Sequence, residues 1–162
     1  MISTSSTPQN TQRSKLLNTI PILNIISHNV LSLNSPVKQQ LLFNLYESLN
    51  SNIVALQDIK LQTSLAVSAF KNKISNSYRV FSNIHPDPND HLTGVALLLN
   101  QDLADRVYNH AGIWGRLIYV DIQLQNKFCI RIINTYITPS DNILRKKLYK
   151  KITTLFKQAY EK

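Results

Sequence analysis

Two short apolar runs flank one amphipathic helix near the start of the chain, and that spacing constrains the fold more than any other feature. Residues 22–27 read ILNIIS, the length and β-branched content of a buried strand. His28-Asn29 and a polar loop to Asn34 follow it. Ser35-Pro36 then opens a helix, with Ser as N-cap and Pro at the first helical position, where its missing N–H costs nothing. Val37, Leu41, Leu42, Leu45 and Leu49 recur at helical spacing and predict its buried stripe. Past Asn50 to Asn52, the run Ile53-Val54-Ala55-Leu56 predicts a second buried strand that delivers Gln57-Asp58 at its C-terminal end. Strand, helix and strand within about 35 residues make a βαβ-like beginning.

The later pattern differs. A second helix is expected over residues 64–74, a strand over 78–82, and a loop over 83–91 (NIHPDPNDH) from its turn chemistry. Consecutive strands then follow at 94–99, 105–108 and 116–124, the last with Ile118, Val120, Ile122 and Leu124 on one face. Gln125-Asn126-Lys127 is a tight connection, so residues 128–136 should pair back as a hairpin. Thr138-Pro139-Ser140 breaks that strand, and Ser140 or Asp141 caps a final helix with the stripe Ile143, Leu144, Leu148, Ile152, Leu155, Phe156 and Ala159. The order βαβα, then mostly β, then α predicts a layered α/β (α+β) fold with at least one mixed sheet.

Composition narrows the classes. An apolar fraction of 43% with 3 Gly and 6 Pro excludes collagen-like and wholly disordered chains. The longest apolar run, 94–99, falls far short of the roughly 18 residues a membrane span needs. Residues 1–20, rich in Ser, Thr and Asn, are expected to be a flexible polar tail ahead of one domain over 21–162. Cys129 is the only cysteine, which excludes an intrachain disulfide and a Cys-based zinc site and fits an intracellular, nuclear or cytoplasmic, rather than a secreted protein. Its place in an apolar strand reads as inert core. The four histidines, His28, His85, His91 and His110, have no H-x-x-x-H spacing.

The formal charge is +9, and it is concentrated. From Asn142 onward Arg145, Lys146, Lys147, Lys150, Lys151, Lys157 and Lys162 face Glu161 alone, a net +6. Such a surface attracts polyanions, of which nucleic acid is the commonest, although a solvated lysine-rich helix face is equally ordinary.

Candidate chemistry lies at strand ends. Asn29 and Asp58, closing the first two strands, could offer two oxygens to a hard cation such as Mg²⁺, or could cap their loops. Tyr136, ending a strand, could reach a phosphate with its hydroxyl or pack as a half-buried ring. Arg116, after the glycines of Gly112-Ile113-Trp114-Gly115, could meet a phosphate or pair with a carboxylate.

Taken together, IISHNVLSLNSPVK, NIVALQDIKL, GVALLLN, GRLIYVDIQL and RIINTYITPS resemble, in order, the landmarks of the endonuclease/exonuclease/phosphatase superfamily with its deoxyribonuclease I-like fold. The S-P-x-K string, the Gly-Arg before a long strand and the Tyr-to-Pro turn look most like the apurinic-endonuclease branch and its relatives in non-LTR retrotransposons. The resemblance implies part of a four-layer α/β sandwich with mixed, largely antiparallel sheets, and a Mg²⁺-dependent phosphodiester hydrolase acting on DNA. It implies that Asp58 ligates the metal, Asn29 orients the site or shares the metal, and Tyr136 bears on the scissile phosphate, with Arg116, Arg145, Lys146, Lys147, Lys150 and Lys151 as nucleic-acid contacts. Two alternatives stay open: a non-catalytic nucleic-acid binder using the basic helix, and a phosphatase-type member acting on a phosphorylated small molecule or lipid. The family places Glu where Asp58 stands and an aromatic residue where His28 stands. It also continues with Asp-x-Asn and Asp-His motifs beyond the equivalent of Lys162, so the expectation is a truncated domain with weak activity or none by itself.

Overall fold

The computed structural model describes residues 22–61, 63–85, 94–124, 128–137 and 140–160. The elements run β1 (Ile25–Asn29), α1 (Pro36–Ser48), β2 (Ile53–Gln57), α2 (Ser64–Ile74), β3 (Tyr78–Asn83), β4 (Val95–Asn100), α3 (Gln101–Ala104), β5 (Val107–Ile113), β6 (Leu117–Gln123), β7 (Cys129–Thr135) and α4 (Asn142–Tyr160). Ser35 caps α1 by accepting from the Lys38 N–H, as the Ser-Pro pair predicts. Asp141 caps α4, its Oδ1 accepting from the N–H groups of Ile143 and Leu144.

Two sheets form, and the first is mixed. Its order is β1-β2-β4-β3, with β1 parallel to β2 and the other pairs antiparallel; the second, β5-β6-β7, is antiparallel throughout. α1 and α2 cover the outer face of the first sheet through Phe43, Tyr46, Val67 and Phe70 against Val54, Leu56, Ala96 and Leu98. Its inner face, Ile53, Ala55, Val95, Leu97 and Leu99, packs on Ile118, Val120 and Ile122 of β6. α4 covers the far side of the second sheet with Leu148 and Leu155 against Leu117. The result is the expected four-layer arrangement. β2 and β4 are covered on both faces, which is why they read as unbroken apolar runs.

Several expectations need correction. The stripe Val37, Leu41, Leu45 and Leu49 of α1 faces outward, with Val37 69% exposed, whereas Phe43 and Tyr46 are buried. The helix is apolar on two sides, and the side carrying aromatic rings wins: Phe43 stacks on Phe70 at 5.5 Å and Tyr46 meets the His28 ring edge-on. β1 is an edge strand with alternating exposure, so Ile25 is half exposed. Ile143 and Phe156 of the α4 stripe are also exposed, and Ala159 with them. Cys129 is exposed near the end of the outer strand β7 and is no core residue. The short strand expected at 105–108 is instead β5, reaching Ile113, and Trp114-Gly115 is a hairpin turn, both residues at positive φ (50° and 61°), closed by the Arg116 N–H donating to the Ile113 carbonyl. The expected tail at 1–20, most of the 83–91 loop and the connection at 125–127 lie outside the described residues.

Candidate functional site

The C-terminal ends of β1 and β2 lie side by side, Asn29 level with Gln57. The pairing continues past the strands: Val30 N–H donates to the Gln57 carbonyl, Ser32 N–H to Asp58 and Leu33 N–H to Ile59. These segments use left-handed backbone at Leu31 (φ 50°), Ser32 (φ 100°), Asp58 (φ 58°) and Lys60 (φ 52°). Strain of that kind persists only where the surroundings hold it, and functional sites are where it collects. Lys38 of the S-P-x-K string ties α1 to the same place, its Nζ donating to the Val30 carbonyl at 2.5 Å.

Asp58 is 3% exposed, and its Oδ1 has no hydrogen-bond partner among the described residues. Its Oδ2 lies 3.4 Å from Lys60 Nζ. A buried carboxylate with one oxygen unused is costly unless something else takes up that oxygen. Gly94 makes room for this turn: its carbonyl accepts from the Ile59 N–H at 3.1 Å, and at φ +132° a Cβ there would stand 2.7 Å from Ile59 Cγ1. Asn29 is exposed, and its Oδ1 accepts from the Leu31 N–H at 3.2 Å, as an Asx turn does. Beside it, His28 Nδ1 and the buried Tyr46 hydroxyl share a hydrogen bond of 2.8 Å. Burial, then the neighbouring Tyr78, push the Tyr46 pKa well above the usual tyrosine value.

Arg116 and Tyr136 come together. Tyr136 N–H donates to the Arg116 carbonyl at 2.7 Å, and the guanidinium carbon lies 5.3 Å from the Tyr136 ring centroid. Arg116 is 8% exposed, its Nε lacks a partner, and among the described residues no carboxylate pairs with it, contrary to the structural alternative for this residue. A buried cation with no counter-charge among the described residues suits an anionic ligand.

The basic helix is not part of this cluster. α4 packs on the face of the second sheet opposite the first, so its cations occupy a different layer from Asp58. Lys146, Lys147 and Lys150 are exposed, Lys151 is half-buried, and Arg145 bonds to the Asn142 side chain.

Gln57 and Asn134 form a polar pair that joins the sheets, and Asn83 of β3 adds a bond of 2.9 Å to the Leu117 carbonyl of β6. Gln57 Nε2 donates to Asn134 Oδ1 at 2.7 Å, while Asn134 Nδ2 donates to the carbonyls of Leu56 (2.8 Å) and Ala96 (2.9 Å). Their signal was parity: Asn134 has the facing of Ile130 and Ile132, and Gln57 that of Ile53 and Ala55, so each is a polar residue on an apolar face.

No family model matches the sequence, and no curated protein matches it. Solved structures do match. The human Nocturnin catalytic domain with bound sulfate superposes with a TM-score of 0.62 at 14% identity, over 83% of this chain and 59% of that one. TDP2 from Caenorhabditis elegans gives a TM-score of 0.58 at 14% identity, over 86% and 42%. D. rerio TDP2 complexed with single-strand DNA product gives 0.58 at 15%, over 85% and 54%. The chain therefore spans 42% to 59% of these neighbours. They belong to the DNase I-like endonuclease/exonuclease/phosphatase superfamily, and theirs is the fold that this chain shares.

Proposed function

We propose that the chain carries one half of a phosphodiester-hydrolysing site of nuclease type, directed at nucleic acid and at DNA in preference to RNA, with weak activity or none alone. The observation that carries this reading is the buried Asp58 carboxylate, its Oδ1 unpartnered at a strand end beside Asn29. That donor set fits a hard cation in part. Mg²⁺ is held by one or two carboxylates with waters, and Asp58 with the Asn29 carbonyl oxygen would supply the protein's share. When bound, the ion would supply charge stabilisation at the phosphate. The remaining roles belong to side chains: Asn29 orients the site, Arg116 offsets phosphate charge from its buried position, and the Tyr136 hydroxyl donates to a phosphate oxygen. Among the described residues no group of three His, Cys, Asp or Glu is gathered. The DNA product in the D. rerio TDP2 structure supports a nucleic-acid ligand. The finer likeness to the apurinic-endonuclease and retrotransposon branch rests on the sequence strings alone, and a nuclear or cytoplasmic location on the single cysteine. No helix of the described residues is long and apolar enough to cross a membrane.

The test is fluorescence anisotropy with a single-stranded oligonucleotide in Mg²⁺ and in EDTA, with plasmid nicking measured alongside. Tighter binding in Mg²⁺ that Asp58→Asn abolishes is expected, with little nicking. An Mg²⁺ response unchanged in Asp58→Asn would overturn the metal assignment, and strong nicking lost in Asp58→Asn would overturn the incompetence. Displacement of the oligonucleotide by inositol phosphates at low concentration would instead favour the phosphatase-type alternative.

A second reading, non-catalytic binding through α4, is favoured by the exposed Lys146, Lys147 and Lys150 on one helix. Changing Lys146, Lys147, Lys150 and Lys151 to Gln should then flatten the salt dependence of single-strand binding by up to about 3 in logarithmic slope. An unchanged affinity at low salt would remove α4 from the interface.

A further inference from the structure

The two sheets meet largely through apolar side chains, and apolar contact is non-directional. It can hold two sheets together without fixing how far one slides along the other. The candidate site needs that register fixed, because Asp58 hangs from the first sheet and Tyr136, with Arg116, from the second.

Asn83 of β3 gives one directed contact, donating to the Leu117 carbonyl of β6 at 2.9 Å, and Asn134 gives three more. Leu56 and Ala96 are register partners on β2 and β4, and the Asn134 amide donates to both of their carbonyls while accepting from Gln57. These are side-chain bonds from one sheet to the backbone of two adjacent strands in the other. Asn134 is 3% exposed, so each bond forms in a low-dielectric setting where a missing partner is costly. Leu56 lies two residues before Asp58 and Asn134 two before Tyr136. The clamp therefore sits one strand repeat from both groups.

We infer that Asn134 is a positioning residue: its amide clamps β7 onto β2 and β4 and thereby sets Tyr136 and Arg116 against Asp58. Gln57 completes the clamp and also donates to the Ser27 hydroxyl and the Ala55 carbonyl, which links it to β1. The inference deepens the proposed function and rests on it for its chemical consequence, though the clamp itself can be measured without any ligand.

The experiment compares the full chain with Asn134→Leu and with Ile132→Val, a variant that removes one methylene from the same inward face of β7. Nitroxides on Cys129 in β7 and on an introduced Ser68→Cys in α2 report the spacing of the sheets by double electron–electron resonance. A shifted or broadened distribution in Asn134→Leu, with the Ile132→Val distribution unchanged at comparable loss of stability, is expected. Mg²⁺-dependent oligonucleotide binding should weaken about tenfold in Asn134→Leu and stay as it was in Ile132→Val. An unchanged distance distribution in folded Asn134→Leu overturns the inference, as does an equal change in Ile132→Val. Should Asn134→Leu fail to fold, Asn134→Ala carries the same expectation. If the unsubstituted chain shows no Mg²⁺ response, the proposed function fails, and the distance measurement alone decides the role of Asn134.

Discussion

The Arg116 guanidinium lies over the Tyr136 ring, 5.3 Å from its centroid, with Nε left without a partner. Among the described residues the ring, not a carboxylate, faces this buried cation, and no counter-charge there cancels it. Tyr136→Phe keeps the ring and should hold stability within about 0.5 kcal/mol, while removing the hydroxyl proposed to donate to a phosphate. Tyr136→Ala should cost about 1–3 kcal/mol by stripping the guanidinium of its stacking partner. Urea denaturation of both variants checks this, and equal losses would mean that the hydroxyl, not the ring, supports Arg116.

Gly115 should tolerate no side chain. It sits at φ +61°, and a Cβ would fall 2.5 Å from the His85 backbone nitrogen and 2.8 Å from its Cα. Backbone cannot swing aside as a side-chain end can. Gly115→Ala is expected to lower stability by about 1–3 kcal/mol, read from the shift in the denaturation midpoint.

Asp121 and Arg131 form a buried, two-pronged ion pair, Nε to Oδ1 at 2.5 Å and Nη2 to Oδ2 at 2.7 Å, with Arg131 also donating to the Leu155 carbonyl of α4. Hydrogen bonding to Asp121 holds the Arg131 pKa above even its ordinary high value. Asp121→Ala leaves that guanidinium uncompensated and should cost about 3–5 kcal/mol. Replacing both members with apolar residues, Asp121→Leu with Arg131→Met, should cost less than the single change. Thermal melts of the single and double variants decide it.

The residues that proved legible share a physical reason. β2 and β4 are covered on both faces, so their burial is written as continuous apolar runs, and β6 shows its inner face as Ile118, Val120 and Ile122. Ser35 and Asp141 cap their helices because their short side chains place an oxygen within reach of the unpaired N–H groups of the first turn. The buried side of α1 was not legible. Its aliphatic stripe and its aromatic side have similar periodicity, and only the partner, Phe70 on a later helix, selects between them. Asn29 and Asp58 could be placed on neighbouring strand ends from spacing, but the unpartnered oxygen of Asp58 depends on Gly94 and Lys60, which no local pattern ties to it. Gln57 and Asn134 were missed because Gln57 ends its strand and Asn134 stands next to the end of its own, where a polar residue is easily passed over as a strand terminus.

Alkaline pH should destabilise the protein through Tyr46. Burial, with the neighbouring Tyr78 adding to it, raises the Tyr46 pKa above its ordinary value of 10.0. The folded chain thus keeps a proton that the unfolded chain gives up. This contribution to stability is fully present below about pH 10 and falls as pH rises beyond it. Tyr46→Phe removes this share of the dependence, leaving that of Tyr78, whose pKa burial also raises, and should cost about 0.5–1.5 kcal/mol at neutral pH for the lost bond to His28. Denaturation midpoints measured from about pH 8 to about pH 12, roughly two units either side of the free tyrosine value, test the sign; equal slopes for both proteins would contradict it.

The most direct measurement is a Mn²⁺ titration of the ¹⁵N-labelled chain followed by amide line broadening. Broadening centred on Val30, Asp58 and Ile59, reversed by excess Mg²⁺ and absent from Asp58→Asn, is the expected result, since the buried Asp58 carboxylate has an oxygen with no partner among the described residues. Asn accepts the left-handed backbone that Asp58 occupies at φ 58°, so the variant should remain folded. Broadening that instead follows the exposed Asp102 and Asp105, or that persists unchanged in Asp58→Asn, would contradict a cation site at the ends of β1 and β2.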